Sequence, residues 1–211
     1  MPKIVDHEQR REEIAKAVLR VVAREGVGGV TVRDVAREAG WSTGVLCHYF
    51  DNKRELLIGG LREAARVIVL RMARIMRDRT GLDRLRGVIE EGMPLDEQRE
   101  ALCRIFFFFW AEGVNDPALS AELAAYYDWW RGQIRQAIEY CQADGSVRAL
   151  DPEALAEMFV AVADGVAVQA MFNTRKISKP HQRDHVGQWL EIVGAEAGAD
   201  SRVSRAAGRG K

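Results

Sequence analysis

Residues 31–50 read Thr31-Val32-Arg33-Asp34-Val35-Ala36-Arg37-Glu38-Ala39-Gly40-Trp41-Ser42-Thr43-Gly44-Val45-Leu46-Cys47-His48-Tyr49-Phe50, and this stretch decides the fold. Thr31 is a helix-capping residue with Asp34 three positions on, a variant of the capping box. Val32, Val35 and Ala36 give the helix that follows its buried face. Gly40 suits the turn out of that helix, Ser42 caps the next, and Val45, Leu46 and Phe50 form its inward side. Two short helices joined by a turn of about four residues make a helix-turn-helix, whose second helix enters the major groove of DNA by its N-terminal end.

The flanking sequence extends this unit. Upstream, Ile14, Ala17, Val18, Val21 and Val22 recur at helical spacing, which predicts an amphipathic helix over 8–25 closed by Gly26, with Gly28 and Gly29 in a loop. Downstream, Asn52 and Glu55 form another capping pair and open a long helix through Leu57, Leu61, Ala64, Ile68 and Met72 to about Arg79. Beyond Thr80 the period stays helical, without strand-like alternation, and breaks at Gly92–Pro94, Asp116–Pro117, Ala143–Asp151 and Asn173–Pro180 leave five more helices. The expectation is an all-α fold of about nine helices. A three-helix, helix-turn-helix DNA-binding domain occupies 1–52, and a helical effector-binding and dimerisation domain occupies 53–199. A Ser-, Ala-, Gly- and Arg-rich tail over 200–211 lacks apolar anchors and is expected to be disordered. There is no internal repeat.

Composition sets the class. The chain has 211 residues, 47% of them hydrophobic, which is enough for a real core and excludes a disordered protein. Its longest unbroken apolar run, Ile105 to Ala111, is too short to span a bilayer, and no signal-peptide pattern follows the charged N-terminus, so a cytoplasmic protein with no membrane partner is expected. Cys47, Cys103 and Cys141 suit free thiols. The net charge of zero hides an asymmetry: residues 1–79 carry 16 Lys and Arg against 11 Asp and Glu, while residues 80–199 carry 11 against 19. The basic front end is the one suited to a polyanion.

Within 31–50 the polar groups divide by chemistry. Thr43 can offer a base its hydroxyl and thymine its methyl, and Gly44 allows close backbone approach. Backbone N–H groups near Thr31 and Ser42, with His48, Tyr49 and Lys53, favour phosphate. Tyr49 can equally pack its ring inward while its hydroxyl reaches out. Arg33, Arg10 and Arg11 are further candidates for phosphate or minor-groove contact.

The string from Gly40 to Phe50, with Asn52-Lys53, Glu55-Leu56-Leu57 and the preceding Thr31 to Ala36, strongly resembles the signature of the TetR family of transcriptional regulators. Beyond the first sixty or so residues the likeness lies in helix number, lengths and breaks. Trp41 and Cys47 stand where that family most often has Val and Tyr, which puts one DNA-backbone contact in doubt. The string Ser42-Thr43-Gly44, then His48-Tyr49-Phe50 after a small residue, with the opening Met-Pro-Lys, is similar to the choline-responsive, BetI-like subgroup. The resemblance implies a homodimeric repressor that grips double-stranded, palindromic operator DNA and releases it on binding a small molecule.

Phe106, Phe107, Phe108, Phe109 and Trp110, then Tyr126, Tyr127, Trp129 and Trp130, form the second informative region. Four consecutive Phe cannot all face one side of a helix, so the segment is either buried nearly all round or faces both a core and a pocket. On the second reading Phe106, Phe109, Trp110, Tyr127 and Trp130 line an effector site. Aromatic faces with a carboxylate nearby suit a cation, and Asp164 and Glu112 are the candidates. Ala163-Asp164-Gly165 is similar to the BetI-like stretch, although Val166-Ala167 lacks the Trp that the likeness calls for. The effector is expected to be apolar or cationic; the alternatives are a DNA-binding regulator without a small-molecule effector, or an all-helical ligand carrier or enzyme using the aromatic pocket.

The resemblance also implies that the last two long helices, about 151–173 and 181–196, pair with their copies. Ala156, Phe159, Val160, Ala163, Ala167 and Ala170 offer a small-residue stripe on the first, and Trp189, Leu190 and Val193 serve the second, with burial inside one chain as the competing account. His181 and His185 have a metal-compatible spacing without an evident third ligand, which favours a solvated or interface role. No metal, cofactor or catalytic motif is expected.

Overall fold

The computed structural model describes residues 7–195, and among these the chain forms nine α-helices with no strand; the expected tail at 200–211 lies outside the described residues. α1 spans His7–Gly29, α2 Val32–Ala39, α3 Thr43–Tyr49 and α4 Lys53–Asp78. α5 spans Gly81–Glu90, α6 Glu97–Gly113, α7 Pro117–Ala143, α8 Pro152–Phe172 and α9 Lys179–Val193. Every expected break is present.

Local sequence explains the boundaries. Thr31 accepts the Asp34 backbone N–H, Ser42 that of Val45 and Asn52 that of Glu55, so α2, α3 and α4 all start on a side-chain cap. The Glu55 carboxylate reaches back to the Asp51 N–H, completing a box displaced by one residue. Gly40 ends α2 at φ 73°, a left-handed conformation that costs an L side chain, and it sets the angle of the turn into α3. Gly26 breaks α1 as expected, but residues 27–29 form one more helical turn in place of a loop, because Val27 is buried against the core.

The first three helices close over Val18, Val21, Val22, Val30, Val35 and Leu46, all fully or nearly fully buried. Arg20 and Arg24 of α1 both bind Glu38 of α2, at 2.7 and 3.1 Å, and their hydrogen bonds hold that carboxyl below the usual range. α1 then lies on α4 and α6. The crossing is close because position 60 has no side chain: a Cβ there would stand 2.6 Å from Val18 Cγ1 and 3.0 Å from Ile105 Cδ1. The reading head is thereby fixed to α4 and α6. α7 lies against α5, α6 and α8, and α9 docks on α5.

Candidate nucleic-acid interface and inner cavity

α3 is amphipathic at small scale. Leu46, Tyr49 and Phe50 are buried, Val45 is half-buried, and Thr43, Gly44, Cys47 and His48 are exposed. Ser42, Arg33, Thr31 and Lys53 are exposed as well, lying on or next to α2 and α3, which pack on each other, and at the start of α4. Nothing inside the chain requires glycine at 44: its φ is not positive and a Cβ would meet only Ser42 Oγ at 3.8 Å. Lys53 Nζ donates to the Gly28 carbonyl at 3.3 Å, a contact a phosphate could replace. Arg10 lies over the Trp41 ring at 4.8 Å and Arg11 over Phe50 at 5.7 Å, which uses their cationic faces inside the reading head. Tyr49 is 6% exposed and its hydroxyl lies 3.0 Å from His7 Nδ1, so ring and hydroxyl are both engaged within the chain.

The aromatic residues of α6 and α7 meet in the interior. Phe106 stacks on Tyr126 with ring centroids 4.6 Å apart, Phe107 lies 4.8 Å from Trp110, and Trp110 is followed by Tyr127 at 5.9 Å and Trp130 at 6.2 Å beyond it. They enclose a cavity also lined by Ile68 of α4, Glu91 and Gly92 after α5, and Asp164 of α8. Gly92 makes room for the indole, since a Cβ there would stand 2.2 Å from Trp130 Cζ2. The cavity holds about 30 Å³ of free space, enough for about two waters. A larger molecule requires the walls to move.

Two carboxyl groups line this apolar space. Asp164 accepts the Tyr127 hydroxyl at 2.9 Å, and burial pushes it up to about 6. Glu91, 4% exposed, is pushed up to about 7 by burial against the opposing pull of Arg71, whose Nε lies 2.7 Å from Glu91 Oε1. Burial and Asp164 together raise the Tyr127 phenol, and burial takes the Cys103 thiol up to about 12, so both stay protonated near neutrality. The indole N–H groups of Trp110 and Trp130 are buried with no acceptor among the described residues.

Of the expected cavity residues, Phe106, Trp110, Tyr127, Trp130 and Asp164 come together. Phe109 does not: it is fully buried in the core, edge-on to Phe108, because the helical turn points it away from Trp110. Glu112 is exposed and off the cavity wall. Glu91, Tyr126 and Cys103 line the cavity and were not among the expected residues.

The proposed pairing stripe needs a correction. Ala156, Phe159, Val160, Ala163, Ala167, Leu190 and Val193 are buried within the single chain, where α8 packs on α7 and α5 and α9 on α5, and Ala170 is buried with them. These side chains, 0–4% exposed, bury their surface inside one chain and leave little for a second copy. Trp189 is half-buried, 6.4 Å from the Phe159 ring. The outward face carries Met158, Val162, Phe172 and Ile192, of which Phe172 is 87% exposed. His181 and His185 are edge to face at 4.4 Å, and no group of three metal-ligating side chains exists among the described residues.

Comparison with known proteins places these features in context. Residues 81–194 match the family of BetI-type transcriptional repressor C-terminal domains, and residues 14–59 match the bacterial regulatory proteins of the tetR family. The chain is 29% identical over 198 residues to the HTH-type transcriptional regulator PksA of Bacillus subtilis, covering 93% of this chain and 95% of that one. It is 30% identical over 121 residues to the regulator BetI of Paraburkholderia phymatum, covering 56% of this chain and 62% of that one. The structure is similar to that of a transcriptional regulator from Saccharomonospora viridis in complex with choline, with a TM-score of 0.79 and 25% identity over 90% of this chain and 99% of the other.

Proposed function

The chain belongs to the TetR family of regulators with a BetI-type repressor C-terminal domain, and on that premise we propose that it is a dimeric repressor released from its operator by an organic cation. α3 reads the major groove through Thr43 and Gly44, while Thr31, Arg33, Ser42, His48 and Lys53 hold phosphates. Tyr49 acts from inside, fixing the end of α3 through His7. Because one short helix makes few base contacts, two copies are needed to read the halves of a palindrome about 34 Å apart. α8 supports this as the pairing helix: it is apolar on its buried face and again outside, at Met158, Val162 and Phe172.

The observation that carries the effector class is Asp164, a carboxylate set in an aromatic cavity, whose one hydrogen-bond donor among the described residues is the Tyr127 hydroxyl. An ionised carboxylate there is costly alone and favourable beside a cation, whose charge also meets the ring faces. An apolar effector would leave that charge unanswered. The choline complex of the Saccharomonospora viridis regulator supports the same class. A cation larger than the free space spreads α6 and α7 and presses Ile68 of α4, the helix that carries the reading head. A shift of a few ångströms in head separation spoils simultaneous docking. Tenfold weaker DNA binding needs only about 1.4 kcal/mol of preference for the released form. The protein works by binding in the cytoplasm and turns nothing over.

The test is to pass fragmented genomic DNA over the pure protein, sequence what is retained, and repeat with choline or tetramethylammonium. The account expects palindromic fragments, its own promoter region foremost, lost in the presence of the cation. Retention of random DNA, unchanged by either cation, contradicts it.

A further inference from the structure

Glu91 is the least expected group in the cavity wall. It is 4% exposed, it follows α5 directly, and its Oε1 makes no aligned hydrogen bond. Its charge partner is Arg71 of α4, with Nε at 2.7 Å. Arg71 is differently placed. Its side chain is 28% exposed, and its terminal nitrogens reach Gln98 Oε1 at 3.2 Å and Asp96 Oδ2 at 3.9 Å, both at the start of α6. Arg71 therefore has polar partners outside the cavity, whereas among the described residues Glu91 has no second cation within ion-pair distance, Arg99 acting on it only from farther off. The pair also sits where α4 and α5 are tightly joined: a Cβ at Gly87 of α5 would stand 2.9 Å from Ile75 of α4.

A buried carboxylate with one replaceable partner, in the wall of a cavity suited to cations, is a point of competition. We propose that the effector's positive centre takes the place of Arg71 against Glu91, and that this exchange is how occupancy of the cavity is read by α4. Arg71 keeps Gln98 and Asp96, so its charge is never stranded. α4 loses its polar tie to the end of α5, and Arg54 and Arg62 near its N-terminal end carry the change toward the head through their pairs with Asp116 and Glu122 of the α6–α7 region. Glu91 is then a ligand-binding residue and Arg71 a coupling residue. The inference rests on the cationic-effector reading, in which Asp164 alone would suffice for binding.

The experiment uses full-length protein, choline as the probe, and a DNA fragment retained by the wild type, with choline affinity measured by calorimetry and DNA affinity by fluorescence anisotropy. The variants are Glu91→Gln, Arg71→Met and the double variant, which removes both charges so that neither is left buried alone. Glu91→Gln should bind choline at least tenfold more weakly and, with the charged tie to Arg71 gone, bind DNA more weakly than the choline-free wild type. Arg71→Met should bind choline as tightly as the wild type or tighter, yet choline should change its DNA affinity less than twofold where the wild type loses tenfold or more. The double variant, which lacks the tie altogether, should bind DNA about as weakly as the choline-saturated wild type and ignore choline. If the variants bind choline and leave DNA as the wild type does, while Asp164→Asn loses choline, the exchange is overturned and the cationic reading stands. If the wild type itself binds neither choline nor tetramethylammonium, both are overturned.

Discussion

Tyr127 donates its hydroxyl hydrogen to Asp164 Oδ2 at 2.9 Å, joining α7 to α8 across an aromatic interior. Burial lifts Asp164 to about 6, so proton and cation compete for the same carboxylate. Choline affinity should therefore rise with pH through about 6 and flatten above the range of Glu91, at about 7. Asp164→Asn should remove the lower part of that rise. Calorimetric titrations between pH 5 and 8.5 check this, and an affinity indifferent to pH contradicts it.

The same carboxylate makes a stability prediction of definite sign. A carboxyl whose folded value is raised binds its proton more tightly when folded, so its contribution is fully present below the unfolded value near 4 and is lost as pH rises through about 6. Asp164→Asn, which can still accept from Tyr127, should match the wild type near pH 3, below the unfolded value, and exceed it at pH 8 by roughly 3 kcal/mol, several degrees in melting temperature. Thermal melts at the two pH values decide it.

At the reading head, Gly44→Ala should leave the melting temperature within a degree or so, since a Cβ at 44 meets only Ser42 Oγ at 3.8 Å. It should nevertheless weaken DNA binding about tenfold or more, because the added methyl faces the groove rather than the core. Thr43→Ala should keep the fold and relax base preference at one position of each half-site, at a cost of about 1–3 kcal/mol. Anisotropy with single-base variants of a retained fragment measures both.

Two substitutions separate core from partner surface on α8. Val162→Asp, on the exposed face, should yield a folded monomer with weak DNA binding; Ala163→Glu, fully buried one residue later, should fail to fold. Light scattering with circular dichroism distinguishes these outcomes. A folded, dimeric Val162→Asp protein contradicts the assignment of the face.

Phe109 is the matching control in α6. Its truncation to Ala should cost about 3–5 kcal/mol in urea denaturation, whereas a conservative Trp110→Phe should cost less and act mainly on choline affinity.

The fold was legible because its punctuation is local. Thr31, Ser42 and Asn52 cap their helices within three residues, Gly40 and the Pro and Asp pairs mark the ends, and such signals survive without tertiary knowledge. The reading head was legible for the same reason. The cavity was partly so: consecutive aromatics announce an interior, but helical phase alone cannot say that Phe106 and Trp110 face the space while Phe109 faces the core. Glu91 left no signal, since Glu90-Glu91 before Gly92 reads as a solvated helix end and only the arrival of α4 with Arg71 buries it. On α8, apolar residues on every side erase the phase, so the stripe of Ala156, Ala163 and Ala167 was assigned outward when α5 and α7 claim it. Tyr49 is turned into the core, with its hydroxyl 3.0 Å from Nδ1 of His7, 42 residues away, a pairing no local signal announces.

The central claim is that cation and DNA bind opposing forms of one protein, and linkage requires each to weaken the other by the same factor. Choline titrated by calorimetry into the free protein, and into the protein saturated with a retained DNA fragment, measures that factor directly. The account predicts at least tenfold weaker choline binding in the complex, matched by the loss of DNA affinity at saturating choline. Equal affinities in the two titrations, or no choline binding in either, would contradict it.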